Sequence, residues 1–146
     1  MIPAIRFAAE DDVAFIKRLE DSSLHLPWPE DSIRELVTGG EGKVALICED
    51  RGYVGATYVC DEAEIGNIAV LEEYRGQGVG SALLARLQEE LSVRGISRIF
   101  LEVEDSNTNA INLYKRFGFA QYNLRKDYYG KGHDAILMSK NISPSR

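Results

Sequence analysis

The feature that most constrains this chain is a change of period at Gly78. Before it, runs at 44–48, 53–60 and 64–70 are rich in β-branched and aromatic residues, are bounded by turn residues such as Asp50-Arg51-Gly52, and read as an antiparallel meander. After it, Val79, Leu83, Leu84, Leu87 and Leu91 recur at helical spacing until Gly95. The junction is Asn67-Ile68-Ala69-Val70, four further residues, then Arg75-Gly76-Gln77-Gly78-Val79-Gly80-Ser81. Glycines at alternate positions let backbone approach a ligand closely, and the N–H groups of a helix's first turn favour an anion, so a phosphate or pyrophosphate fits there. Arg75 would add a charge-assisted contact. The same pattern also serves as a plain tight strand-to-helix connection. A P-loop reading weakens because Gly80 is followed by Ser81-Ala82 rather than Lys and Ser or Thr, and a dinucleotide fold weakens because a meander precedes the turn.

The flanking segments complete a mixed sheet. A strand is expected over 2–7, a helix over 10–21 with Val13, Phe15, Ile16 and Leu19 on one face, and a second helix over 29–37 behind Leu26-Pro27-Trp28-Pro29. Beyond Gly95 come a strand at 99–103, a helix at 108–117 with Ser106 and Asn107 as caps, and strands at 119–129 and 133–140 joined by Gly130-Lys131-Gly132. The class is α/β in the α+β sense, a mixed sheet with helices on both faces. With 146 residues, 45% of them hydrophobic, the chain suits one domain over 1–140, with 141–146 as a frayed tail.

Charge and cysteine usage narrow the partners. Acidic side chains outnumber basic ones 23 to 17, which disfavours a nucleic-acid face and is compatible with an amine or basic peptide. The start of the chain shows no basic-then-apolar leader and no segment has membrane-spanning length, so a cytoplasmic location and no membrane partner are expected. Cys48 and Cys60 lack metal-ligand spacing and are expected reduced and buried; His25 and His133 are expected on loops or the surface, with no metal bound.

Arg75-Gly76-Gln77-Gly78-Val79-Gly80 resembles the acyl-CoA pyrophosphate loop of the GNAT acetyltransferases. Leu101-Glu102-Val103, Ser106-Asn107, Ala110, Leu113-Tyr114, Gly118-Phe119, Arg125, Tyr128-Tyr129, Asp134-Ala135 and Met138, with Pro27-Trp28, are similar to the RimI branch, the ribosomal-protein N-terminal alanine acetyltransferases. The resemblance implies a central, mostly antiparallel sheet of about seven strands with a splayed parallel pair and four helices. It implies acetyl-CoA held by Ile68, Ala69, Val70, Arg75, Gly76, Gln77, Gly78, Val79, Gly80, Ser81, Asn107 and Tyr114, with an N–H near Ala69 and Val70 facing the thioester carbonyl. Glu102 and Tyr114 become general base and general acid, and Trp28, Tyr128 and Tyr129 walls of the acceptor groove. Read without the family, Trp28 fits equally as a core anchor, Asn107 as a helix cap, Glu102 as a solvated strand end and Tyr114 as a core aromatic.

The implied reaction is direct transfer to the N-terminal amine of a protein, probed against two other readings: a small-amine acetyltransferase and a silent acyl-CoA-binding module. An α-amine, with pKa about 7.7–8.0 against about 10.4 for lysine, gives up its proton more readily near neutrality. Direct transfer needs no acyl-enzyme, so Cys60 is not a nucleophile. His133 stands where the family usually has Glu, and the last hairpin is short, departures that bear on acceptor choice rather than on the cofactor. Oligomeric state is open.

Overall fold

A computed structural model describes residues 2–24 and 26–145. His25 and Arg146 lie outside the described residues. The chain runs β1 (Ile5–Phe7), α1 (Val13–Ser23), α2 (Glu30–Thr38), β2 (Lys43–Cys48), β3 (Gly52–Val59), β4 (Glu62–Val70), α3 (Val79–Val93), β5 (Arg98–Glu104), α4 (Thr108–Arg116), β6 (Ala120–Arg125) and β7 (Ala135–Asn141), with single 3-10 turns at Glu10–Asp12 and Glu72–Tyr74. One seven-stranded sheet has the order β1-β2-β3-β4-β5-β7-β6, antiparallel except for β4 beside β5. This is the expected mixed sheet with one parallel pair and four helices.

Two apolar layers cover it. Val13, Ile16 and Leu19 of α1 and Ile33 and Leu36 of α2 pack on one face over Ala45, Ile47, Tyr53 and Ala69. On the other face Val79, Leu83, Leu84, Leu87 and Leu91 of α3 join Leu113 and Tyr114 of α4 over Ile65, Leu101, Val103 and Met138. The alternating burial of β5, with Ile99, Leu101 and Val103 buried and Arg98 exposed, leaves Phe100, Glu102 and Glu104 on the opposite face.

Two irregularities make the site. Strand β4 pairs with β5 only from Glu62–Arg98 to Ile65–Leu101, and beyond that the strands diverge. At the divergence the β3–β4 register shifts between Gly55 and Ala56, which leaves Gly66 as an extra residue that bends β4 away.

Several boundaries move from those expected. The first strand shrinks to Ile5–Phe7, and the strand expected over 119–129 ends at Arg125. Residues 126–134 form a loop closed on itself: Asp127 N–H donates to Asp134 Oδ1 (2.9 Å), Gly132 N–H to Asp127 Oδ1 (2.7 Å) and Tyr129 N–H to the His133 carbonyl (3.0 Å). Polar side chains in the turn outcompete ladder pairing there. At the end of the chain Asn141 pairs with Arg98, and the N–H groups of Ile142 and Ser145 donate to the carbonyls of Ser97 (2.9 Å) and Ser92 (2.9 Å). Cys48 is buried as expected, but Cys60 is exposed: it sits in the turn between β3 and β4, with a left-handed φ of 55°. No helix among the described residues is long and apolar enough to cross a membrane.

Candidate active site

The divergence of β4 and β5 opens a cleft of about 800 Å³. Its walls bring together 66–70 of β4, the glycine turn and start of α3, residues 102–104 of β5, the first turns of α4, Ser23 and Leu24 at the end of α1, and Tyr129. Of the residues expected at the cofactor, Ile68, Ala69, Val70, Arg75, Gly76, Gly78, Val79, Gly80, Ser81, Asn107 and Tyr114 line it. Gln77 does not; its side-chain amide donates back to the Glu73 carbonyl (3.2 Å).

The glycine turn enters α3 through Gly78 at φ +87°, a conformation that costs a side-chain-bearing residue about 1–2 kcal/mol. The first intrahelical bond runs from Ala82 N–H to the Gly78 carbonyl (3.0 Å), so the N–H groups of Val79, Gly80 and Ser81 lie in the turn that precedes i→i−4 bonding and carries the positive end of the helix dipole. Arg75 differs from expectation in its partners. Its Nε donates to the Val70 carbonyl (3.0 Å) and an Nη to Ser23 Oγ (3.2 Å), so it staples the end of β4 to α1 while it lines the cleft. Asn107 accepts from Ala110 N–H (3.3 Å) as a helix cap and also lines the cleft.

Glu102 and Tyr114 meet in the same space. The Glu102 carboxylate is paired with Arg125 at 3.2 Å. Tyr114 is only 4% exposed, edge-on to Phe119 with ring centroids 5.7 Å apart, and burial followed by the nearby Tyr129 pushes its phenol well above the ordinary range. It therefore stays protonated, able to donate, at any working pH. Tyr129, also in the cleft wall, is raised to about 12 by burial first, then by Glu102, Tyr128 and Glu104.

Of the three residues expected on the acceptor side, Tyr129 lines the cleft and Tyr128 and Trp28 do not. Tyr128 is half exposed, outside the cleft, and stacks edge-on to Tyr129 (5.1 Å). Trp28 is also outside the cleft: its indole lies on Gly66, where an added Cβ would meet the ring at 2.8 Å, and its backbone N–H donates to Glu20 Oε1 (2.7 Å). Trp28 is a packing anchor that shapes the rim from behind.

Glu20 was not singled out by the sequence reading. Fully buried, its carboxylate also accepts from Asn67 Nδ2 (3.0 Å) and from the Tyr53 hydroxyl in a short bond. Burial, then the Glu20 charge, drives the Tyr53 phenol far upward. The signal was present, since Glu20 follows Ile16 by four residues on the apolar stripe of α1. Glu64 was missed as well; burial raises its carboxyl, Glu102 adds to this and Arg125 opposes it. Among the described residues no three His, Cys, Asp or Glu side chains gather to hold a metal ion.

A cleft in a splayed parallel pair, floored by a glycine turn and a helix start and facing a carboxylate and a buried tyrosine, defines an acyl-CoA-dependent transferase of the GNAT class. Residues 13–119 match the acetyltransferase (GNAT) family, and the chain belongs to it. Its relatives include the ribosomal protein bS18-alanine N-acetyltransferase of Salmonella typhimurium, 34% identical over 95% of this chain and 97% of that protein. The crystal structure of the ribosomal-protein-S18-alanine N-acetyltransferase from Escherichia coli superposes with a TM-score of 0.85 at 33% identity, covering 98% of this chain and 96% of that one. Arabidopsis thaliana NAA60, solved with acetyl-CoA, shares the fold at 19% identity with a TM-score of 0.85 over 95% of this chain and 98% of that one. The chain is an acetyltransferase of the RimI type.

Proposed function

We propose that this acetyltransferase moves the acetyl group of acetyl-CoA onto the N-terminal α-amine of a protein, with the terminal alanine of a ribosomal protein such as bS18 as acceptor, by direct transfer in a ternary complex. The observation that carries the reading is the single cleft in which the start of α3 and the Glu102, Tyr114 and Tyr129 side chains face one another. The names of the relatives support the acceptor. This reading implies a cytoplasmic enzyme.

The residues present fit the cofactor. The N–H groups at the start of α3 and the glycine turn suit a pyrophosphate, and the edge of β4 over 66–70, which β5 leaves without a strand alongside, suits an extended amide-bearing arm. Acetyl-CoA supplies the acetyl group as an activated thioester. An N–H of Ala69 or Val70 stabilises the negative charge that develops on the carbonyl oxygen. Glu102 accepts the proton of the α-ammonium, directly or through a water, once the amine has displaced its resting partner. As the C–N bond forms and the C–S bond breaks, the Tyr114 hydroxyl donates a hydrogen bond to the departing sulfur, an anion of a thiol with pKa about 8.5. Holding both reactants in one cleft supplies much of the rate gain, and no acyl-cysteine is needed. Cys60 agrees with this, since it sits in the turn before β4, at the opposite end of that strand from the cleft residues.

The test is mass spectrometry after incubation with acetyl-CoA and two basic peptides of equal composition, one with a free N-terminal alanine and one N-terminally blocked with an internal lysine. Acetylation confined to the free alanine is expected, and Glu102→Gln and Tyr114→Phe should each lower kcat by about 100-fold with cofactor affinity retained. Acetylation of neither peptide, with acetyl-CoA bound, would instead favour a small amine or a silent binding module.

A further inference from the structure

The candidate base does not stand alone at rest. Register places Arg125 in one cross-strand row with Ala135 and Glu104, yet its guanidinium leans diagonally past that row to reach Glu102 at 3.2 Å. The carboxylate in its own row is otherwise engaged: Glu104 accepts a short bond from Ser106 Oγ and pairs with His133 Nδ1 at 3.6 Å. On the far side of Glu102 lies Glu64, on the same face because Glu64 and Phe100 are register partners. Arg125 is 54% exposed while Glu102 is 24% exposed, so the cation can swing into water at little cost whereas the carboxylate stays in the cleft wall. The guanidinium also lies over the Tyr128 ring at 5.5 Å, and Tyr128 contacts Tyr129 of the cleft wall.

We propose that Arg125 is a positioning residue: it serves as the resting counter-ion of Glu102 and is displaced from it by the α-ammonium of the incoming acceptor. This inference rests on the reading of Glu102 as the base. Without a cation, Glu102 and Glu64 are two carboxylates side by side with nothing to oppose their like charges. With Arg125 in place the charge of Glu102 is matched, and the exchange of one cation for another keeps the local charge constant as the acceptor binds. A neutral small molecule has no such exchange to offer, so the device favours a cationic amine. The titratable groups around Glu102 are Arg125 from β6, Glu64 from β4, Tyr114 from α4, Tyr129 from the closing loop, and Glu104 with His133 beside it.

The experiment is a carboxyl 13C NMR titration of the full chain labelled in glutamate, with the Glu102 signal assigned by Glu102→Gln, run on the unaltered protein, Arg125→Met and Arg125→Lys. The Glu102 midpoint is expected to rise in Arg125→Met, because an adjacent cation is lost, and to return most of the way in Arg125→Lys. The acidic limb of kcat/KM should move by the same amount. Arg125→Gln provides a second neutral variant should Arg125→Met fail to fold. An unmoved Glu102 midpoint in a folded neutral variant overturns the proposal alone, if Glu102→Gln is inactive. Full turnover by Glu102→Gln overturns the underlying reading as well.

Discussion

Removal of the Glu20 carboxylate should be the most damaging single change on the α1 face of the sheet, and its cost can be worked from the contacts. The side chain is fully buried and takes three donors: the Trp28 N–H on one oxygen, and Asn67 Nδ2 and the Tyr53 hydroxyl on the other. In Glu20→Ala all three donors lose their acceptor away from water. Each such group costs about 1–3 kcal/mol, so at the low end the three together cost about 3–5 kcal/mol. At a conversion of about 2–4 °C per kcal/mol, the midpoint of thermal unfolding should fall by roughly 6–20 °C. Glu20→Gln behaves differently. Its carbonyl can keep the Trp28 N–H, its amide can donate to the Tyr53 oxygen, and a turned Asn67 amide can accept from the Tyr53 hydroxyl, so the loss is limited to about 1–2 kcal/mol. Differential scanning fluorimetry with urea denaturation on the three proteins measures both. Because Trp28 packs on Gly66 and Asn67 lines the cleft, Glu20→Ala should lower turnover as well as stability. Equal losses in the Gln and Ala variants would refute the hydrogen-bond accounting, as would an Ala variant within 1 kcal/mol of the parent.

Two further outcomes follow from packing and charge. Gly66→Ala puts a methyl 2.8 Å from the Trp28 ring, so overpacking should cost about 1–3 kcal/mol, as urea denaturation would read; an unchanged stability would mean that the indole has room to retreat. The Asp12 carboxyl is held low, first by its hydrogen bond from Arg6, and accepts from the Ala9 N–H as well, while Glu49 is lowered by the same guanidinium. A depressed folded-state value stabilises above the unfolded value of about 3.9 and is lost as pH falls through the folded one. The melting-temperature gap between the unaltered protein and Arg6→Met should therefore be present at pH 6 and close below about pH 4, and a gap independent of pH would contradict the assignment.

The local signals in the sequence carried through to the structure wherever a short stretch of chain decides the matter. The switch of period at Gly78, the Leu-rich face of α3, the Asn107 cap of α4 and the meander of β2, β3 and β4 are all set by neighbours within a few residues, and all are found. The glycine turn was legible for the same reason: left-handed backbone at Gly76 and Gly78 is a property of those residues themselves. The closing loop was not, because the competition between ladder pairing and the Asp127 and Asp134 side chains over 126–134 turns on which polar group finds its partner first in space.

What the sequence by itself determined was the order and kind of elements, the glycine turn, and the presence of a carboxylate and a tyrosine after it. Only the tertiary structure decided which of them share a space. Adjacent Tyr128 and Tyr129 part ways, one half exposed and one in the cleft wall. Trp28 turns out to be held behind the site by Glu20, eight residues away, which in turn reaches Tyr53 and Asn67 at separations of 33 and 47. Arg125 finds Glu102 across an intervening strand. Propensity and period are sums over neighbours along the chain, whereas the splay at Gly66 and these pairings depend on where the sheet brings distant segments together, and that is settled by packing of both faces at once.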